Sequence, residues 1–215
     1  MYIVVENKEN KFVFKDYAKG LIGALDLVKQ DQLDAFFQVF DSYFGSNSNI
    51  YLLGNGGSQA NAHHISGDFM KTFSIAGLKL KISCLADNVC HLTAASNDLS
   101  YDEAYSMLID TIIDRDDFLI YLSGSGNSIN LVKCARKAKQ RNIKQAALTG
   151  FNGGALNKIV DYPIHIKFDD MEICEDLQLS IFHYIKQRLI SKYSDCFANF
   201  DLPKYQKRTL EDLIS

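Results

Sequence analysis

The sequence predicts an α/β fold in which a parallel sheet is covered on both faces by helices. Three observations predict it. From residue 49 onward, apolar runs of strand length alternate with longer stretches that read as helices. The links between them are short, as consecutive βα units require. Apolar runs also end in Gly- or Ser-rich turns that lead into helices, where sheets of this class bind ligands beyond their strands' carboxyl ends.

Each element follows from its pattern. YIVVE and KFVF flank the polar stretch NKEN and read as a small N-terminal hairpin. From Asp16 to about Phe44, Leu21, Leu25, Val28, Leu33, Phe36, Phe37 and Phe40 recur at helical spacing, giving two helices broken near KQDQ. NIYLLG is the first buried strand and LKISCLA the second; Tyr101 to about Asp114 reads as a helix. DFLIYL is a strand running into SGSGNS, followed by the amphipathic helix SINLVKCARKAKQRN. KQAALTG is a strand with a third Gly turn, GGALNKIV a short helix, DYPIHIKF a strand, and MEICEDLQLSIFHYIKQRLISKY a long helix. The chain divides into an N-terminal hairpin and helical segment (1–48), a core domain (49–195) and a tail (196–215).

Composition narrows the function classes. The 215 residues suffice for one sizeable core, and 47% hydrophobic with 23% charged residues is ordinary for a globular protein. A formal net charge of -3 gives no reason to expect nucleic acid or an anionic membrane as a partner. No apolar run approaches the roughly 20 residues that span a bilayer, and the N-terminus has no signal-peptide pattern. The 5 cysteines are odd in number and never spaced CxxC, so they read as reduced, mostly buried thiols of a cytoplasmic protein.

Two turns suit a phosphate. In GNGGS, Gly54, Gly56 and Gly57 let the backbone turn tightly and approach a ligand, and a helix starting near Ser58 offers free N–H groups. In SGSGNS, Ser123, Ser125 and Ser128 add hydroxyls and exposed N–H groups. Neither turn is a P-loop, because no GK[ST] follows. Two helices carry His–carboxylate pairs. His64 and Asp68 are four apart, and Glu175 and His183 are eight apart, so each pair shares a helix face. If the faces meet, the pairs could hold a divalent metal or supply a general acid and base. His91 and His165 read as structural, Asp169 and Asp170 as a water-facing loop, and Arg136 to Arg141 as a solvated helix face.

GNGGSQANAHHISGD, SNDLSY, SGSGNS, LTGFNGG and EDLQLSIFH, in that order, resemble the sugar isomerase (SIS) domain, most closely the phosphoheptose isomerases. The resemblance runs from about Asp16 to Ser191. It implies a flavodoxin-like three-layer αβα sandwich with a parallel five-stranded sheet, preceded by N-terminal helices. It also implies a homotetramer with active sites between subunits. By the same resemblance, Asn55, Gly56, Gly57 and Ser58 are the first substrate loop, and Asn97 and Asp98 lie near the sugar. Ser123, Gly124, Ser125 and Ser128 are the phosphate loop. His64, Asp68, Glu175 and His183 are metal ligands, with Asp68 and His183 catalytic and Glu175 also at the substrate.

The chain departs from the family pattern at three of these positions. Asp68 replaces a glutamate, Glu175 a glutamine and Gly124 a threonine. The resemblance implies a divergent aldose–ketose isomerase that converts sedoheptulose 7-phosphate to D-glycero-D-manno-heptose 7-phosphate through an enediol. Such an enzyme uses a divalent metal such as zinc and no organic cofactor. The alternatives are an isomerase of a different sugar phosphate and a non-catalytic sugar-phosphate-binding protein.

Overall fold

The computed structural model describes residues 12–198. Two helices come first, α1 (Phe14–Asp26) and α2 (Gln30–Asp41). The core then runs β1 (Asn49–Leu53), α3 (Gly56–Ile75), β2 (Lys81–Cys84), α4 (Val89–Asp98), a 3-10 helix (Ser106–Asp110), β3 (Phe118–Ser123) and α5 (Ile129–Gln140). It closes with β4 (Lys144–Thr149), α6 (Leu156–Ile159), β5 (Tyr162–His165), α7 (Met171–Lys192) and α8 (Ser194–Ala198).

All five strands are parallel, in the order β2-β1-β3-β4-β5. The central strand β3 is buried at all six positions, so it reads as a continuous apolar run. Its alternate side chains serve two layers. Phe118 packs against Phe36 of α2, whose ring lies 5.7 Å from Phe182 of α7. Phe182 in turn lies 5.9 Å from Phe69 of α3, so α2, α3 and α7 share one aromatic core on one face. Tyr121 points to the opposite face, toward Cys134 of α5, and its hydroxyl donates to Gln145 Oε1 at 2.9 Å. Burial pushes that hydroxyl's pKa well above its usual value.

The register of β1 against β3 is pinned at its start. Asp117, 1% exposed, accepts hydrogen bonds from the Asn49 backbone N–H (2.6 Å), the Asn49 side-chain amide (3.1 Å) and the Asp114 N–H (2.9 Å). Ile50 then falls opposite Phe118 and Leu52 opposite Ile120.

Two sequence expectations are corrected. The stretch from Tyr101 to Asp114 is a series of turns and the 3-10 helix, not one helix, and the helical residues of that region lie earlier, in α4. Only Ala95 of α4 is buried, so this helix leaves almost no apolar periodicity to read; its start is set by Asn88, whose side chain accepts from the His91 N–H. The N-terminal hairpin falls mostly outside the described residues, and Phe14, expected in its second strand, opens α1 instead.

Asp117→Ala should lower the free energy of unfolding by about 2–3 kcal/mol, because it strands buried N–H groups. The measurement is the urea midpoint at constant slope; an unchanged midpoint refutes the anchoring role. Cys84, Cys134 and Cys174 are buried, and burial pushes their thiols up to about 11, 12 and 11, whereas Cys90 and Cys196 are exposed. A chromogenic disulfide should therefore react fast with two thiols of the native protein and with the remaining three only after unfolding.

Candidate active site

Strand order reverses between β1 and β3, and the crevice beyond their carboxyl ends is the expected ligand position in such a sheet. A cavity of about 290 Å³ lies there, lined by Asn55, Gly56, Gly57, Ser58, Ser123, Gly124, Ser125, Ser128, Met171 and Glu175. Both turns singled out in the sequence thus open into one space. A cavity of about 360 Å³ at the opposite end of the sheet, by Ser46, Arg115 and Lys144, holds none of the candidate residues.

The first loop is held by residues that the sequence did not single out. The side-chain amides of Asn55 and Asn130 pair reciprocally at 2.9 Å, and the Tyr101 hydroxyl donates to Asn55 Oδ1 at 2.6 Å. The buried Tyr105 hydroxyl donates to the Gly54 carbonyl at 2.9 Å. Asn55 ends the extended backbone of β1 and Gly56, at φ +53°, turns it into α3.

The second loop folds on itself and leans on the third. Ser123 Oγ accepts from the Gly126 N–H (3.1 Å) and Ser125 Oγ from the Asn127 N–H (3.2 Å). Each hydroxyl keeps its own proton to donate to a ligand. The third Gly turn, after β4, props this loop: the Gly150 N–H donates to the Gly124 carbonyl (2.8 Å) and the Leu156 N–H to the Gly126 carbonyl (3.0 Å).

Helix α7 comes down onto all three turns. Its N-terminus is capped by Asp170, whose Oδ1 accepts from the Ile173 N–H at 2.9 Å. A Cβ on Gly57 would lie 2.1 Å from Glu175 Oε2, one on Gly124 2.2 Å from Met171 Sδ, and one on Gly150 2.2 Å from Cys174 Sγ. The start of α7 packs directly over all three glycines; the tightest fit is at Gly150, where a Cβ would also meet the Cys174 Cβ and the Gly124 carbonyl, while at Gly57 only the mobile end of Glu175 intervenes. At Gly124, where the resemblance implies threonine, the Met171 sulfur fills the space.

Helices α3 and α7 continue side by side in the same direction. The buried Gln178 donates to Ser58 Oγ (3.1 Å), and Asn61 donates to Gln178 Oε1 (3.1 Å) and to the Glu175 carbonyl (2.9 Å). Further along, His64 faces His183 with ring centroids 5.7 Å apart. Asp68 completes a trio with them, one ligand atom of each lying within 4.8 Å of the others. Two imidazoles and a carboxylate suit a divalent ion of zinc type, so the donors fit the metal that the family pattern implies. Glu175 is not part of this trio; its carboxylate turns to Gly57 and Ser58, at the cavity. Lys186, one turn past His183, places its ammonium on Asp68 Oδ2.

The remaining candidates lie elsewhere. Asn97 and Asp98 are exposed at the end of α4, where Asn97 donates to Asp98 Oδ1 at 2.8 Å, and neither lines the cavity. His63 turns away from His64 into a second group with Cys84 and Asp87. Its ring nitrogens already meet Asp87 Oδ1 (2.8 Å) and the Gln59 amide (3.4 Å), so hydrogen bonding accounts for this group. His91 and His165 are structural, held to the carbonyls of Ala104 and Phe151.

Gly126→Ala should lower unfolding free energy by at least about 2 kcal/mol, because φ is +64° and the new Cβ would sit 2.2 Å from the Gly153 carbonyl oxygen. Gly57→Ala should cost less than about 1 kcal/mol, because the Glu175 carboxylate it meets can rotate away. Urea unfolding distinguishes the two; equal costs would contradict this account of the loops.

Comparison with known proteins places the chain in a family and shows solved structures with the same fold. Residues 14–150 match the SIS domain family. A probable phosphoheptose isomerase of Thermoplasma volcanium is 33% identical over 150 residues, 70% of this chain and 76% of that protein. Phosphoheptose isomerase 2 of Campylobacter jejuni is 28% identical over 87% of this chain and 97% of its own. Among solved structures, the phosphoheptose isomerase of Francisella tularensis superposes with a TM-score of 0.72 at 20% identity, covering 81% of this chain and 92% of that one. That of Neisseria gonorrhoeae gives the same TM-score at 22% identity, covering 81% and 93%. With its family pattern matched over most of its length and its turns opening into one crevice, the chain belongs to the SIS domain family, on the phosphoheptose isomerase-like side of it.

Proposed function

We propose that this protein is an aldose–ketose isomerase of a phosphorylated sugar, with sedoheptulose 7-phosphate as substrate. The observation that carries the reading is the joining of the two phosphate-suited turns to the His64–Asp68–His183 trio by two adjacent helices. Relatives named phosphoheptose isomerase support the substrate class.

In this reading the phosphate lies against Ser123, Ser125 and Ser128, which donate hydroxyl hydrogens, with backbone N–H groups at the start of α5. Glu175, Ser58 and Asn55 accept or donate to sugar hydroxyls across the cavity. Glu175 and His183 are eight residues apart, so the cavity and the trio are about 12 Å apart along α7. That spacing leaves room for a sugar chain to run from Glu175 toward the trio. The Asp68 carboxylate removes the proton from the carbon beside the carbonyl, giving an enediol. His183 moves a proton between the two oxygens, and Asp68 returns its proton to the neighbouring carbon. A divalent ion held by His64, Asp68 and His183 supplies Lewis-acid polarisation when bound. Zinc is the ion that this donor set favours.

The chain acts, in the same reading, as a homotetramer in the cytoplasm, with neither nucleic acid nor membrane as partner. The face of α1 supports assembly: Phe14, Ile22 and Leu25 are exposed there. Among the described residues, no helix is long and apolar enough to cross a membrane.

The test is sedoheptulose 7-phosphate in deuterated water, followed by proton NMR. The wild type should form an aldoheptose phosphate with deuterium at the second carbon. Asp68→Asn and His183→Ala should each slow turnover at least ~100-fold. Ser125→Ala should raise KM about tenfold with little change in kcat, because it removes binding common to substrate and transition state. If no ketose or aldose phosphate is interconverted with or without zinc, the isomerase reading fails. Sugar-phosphate binding without deuterium uptake would leave a binding protein.

A further inference from the structure

The ammonium of Lys186 sits on Asp68, the one carboxylate of the trio. The two side chains are 19% and 16% exposed. Among the ion pairs of the described residues this is the only one with both partners less than a fifth exposed; the others have at least one side chain more than 30% exposed. Solvent therefore screens this pair least. Lys186 reaches Asp68 because it follows His183 by three residues, on the same face of α7, while Asp68 follows His64 by four on α3. Helical spacing brings the ammonium to the same edge of the trio as the two rings.

The charges then decide occupancy. Asp68 is the one anionic ligand that the trio offers a divalent ion, since metal-ligating imidazoles are neutral. Glu175, the other carboxylate on this face of α7, is turned to Gly57 and cannot supply a second negative charge where it stands. An ion bound with Lys186 in place would add two positive charges beside one already at hydrogen-bond distance from the shared oxygen. We propose that Lys186 is a positioning residue, the resident cation of the trio, and that a divalent ion binds His64, Asp68 and His183 only by displacing its ammonium from Asp68. The trio thus has a satisfied form without metal, and Lys186 sets how tightly it loads. This rests on the metal-assisted isomerase reading for its function, but not for its test.

The experiment is zinc binding by the full-length protein, measured against a competing chromogenic chelator with no sugar present. Lys186→Met should bind zinc at least tenfold more tightly than wild type, and Lys186→Arg, which keeps the charge, should not. In an Asp68→Asn background the gain from Lys186→Met should vanish, because the shared oxygen has lost its charge. Circular dichroism and urea unfolding establish that the variants are folded. In the wild type, zinc should also shift the side-chain NMR resonance of Lys186, a readout that needs no folded variant. Equal or weaker zinc binding by Lys186→Met overturns the proposal. So does an undiminished gain without Asp68, an unmoved Lys186 resonance, or no zinc binding by any form. Failure of the isomerase reading would appear separately, as no product from sedoheptulose 7-phosphate with the zinc titrations unchanged.

Discussion

The site depends on the close approach of α7 to three glycine turns. Glu175, Met171 and Cys174 occupy the space that side chains at Gly57, Gly124 and Gly150 would fill. Because the sheet holds those turns at the ends of β1, β3 and β4, seating α7 fixes the depth of the cavity and the line of the helix together. Everything further along α7 inherits that placement: the Gln178 bonds to Ser58 and Asn61, the His64–His183 contact and the Lys186–Asp68 ion pair. The aromatic contacts of Phe182 with Phe36 and Phe69 hold the helix from beneath, so its polar edge is aligned by an apolar core.

Much of this was legible in the sequence, for identifiable reasons. The strands could be read because a parallel sheet covered on both faces makes them short and continuously apolar, as β3 shows. The two phosphate-suited turns could be read because their glycines and serines follow such strands directly. Helix α4 could not, because a helix with one buried residue carries no apolar stripe. Pairing across elements was also out of reach. Tyr101, Asn130 and Gln178 are ordinary residues until the fold sets them against Asn55 and Ser58. Periodicity put His64 with Asp68 and Glu175 with His183, each on one face. It could not show that Glu175 belongs to the cavity while His183 belongs to the trio.

The departures from the family pattern read as adjustments among neighbours. Met171 stands in the volume over Gly124, so the absence of a side chain there leaves no void. Asp68, where the resemblance implies a longer glutamate, has a cationic neighbour from the facing helix. Both positions are coupled to a residue on α7, Gly124 to Met171 and Asp68 to Lys186.

The parallel run of α3 and α7 has a consequence for which substrates this scaffold could come to accept. Ser58 and Glu175 at the cavity and the trio ride on the same two helices, so helical rise of about 1.5 Å per residue sets their spacing, while the phosphate-suited loop after β3 is carried by the sheet. A residue inserted between Glu175 and His183 would turn everything beyond it by about 100° and carry the imidazole off the seam. The distance from the sugar-facing side of the cavity to the trio is therefore recorded in the part of the fold least able to drift by small steps. The loops that ring the cavity can vary one side chain at a time, so hydroxyl configuration is the property open to gradual change.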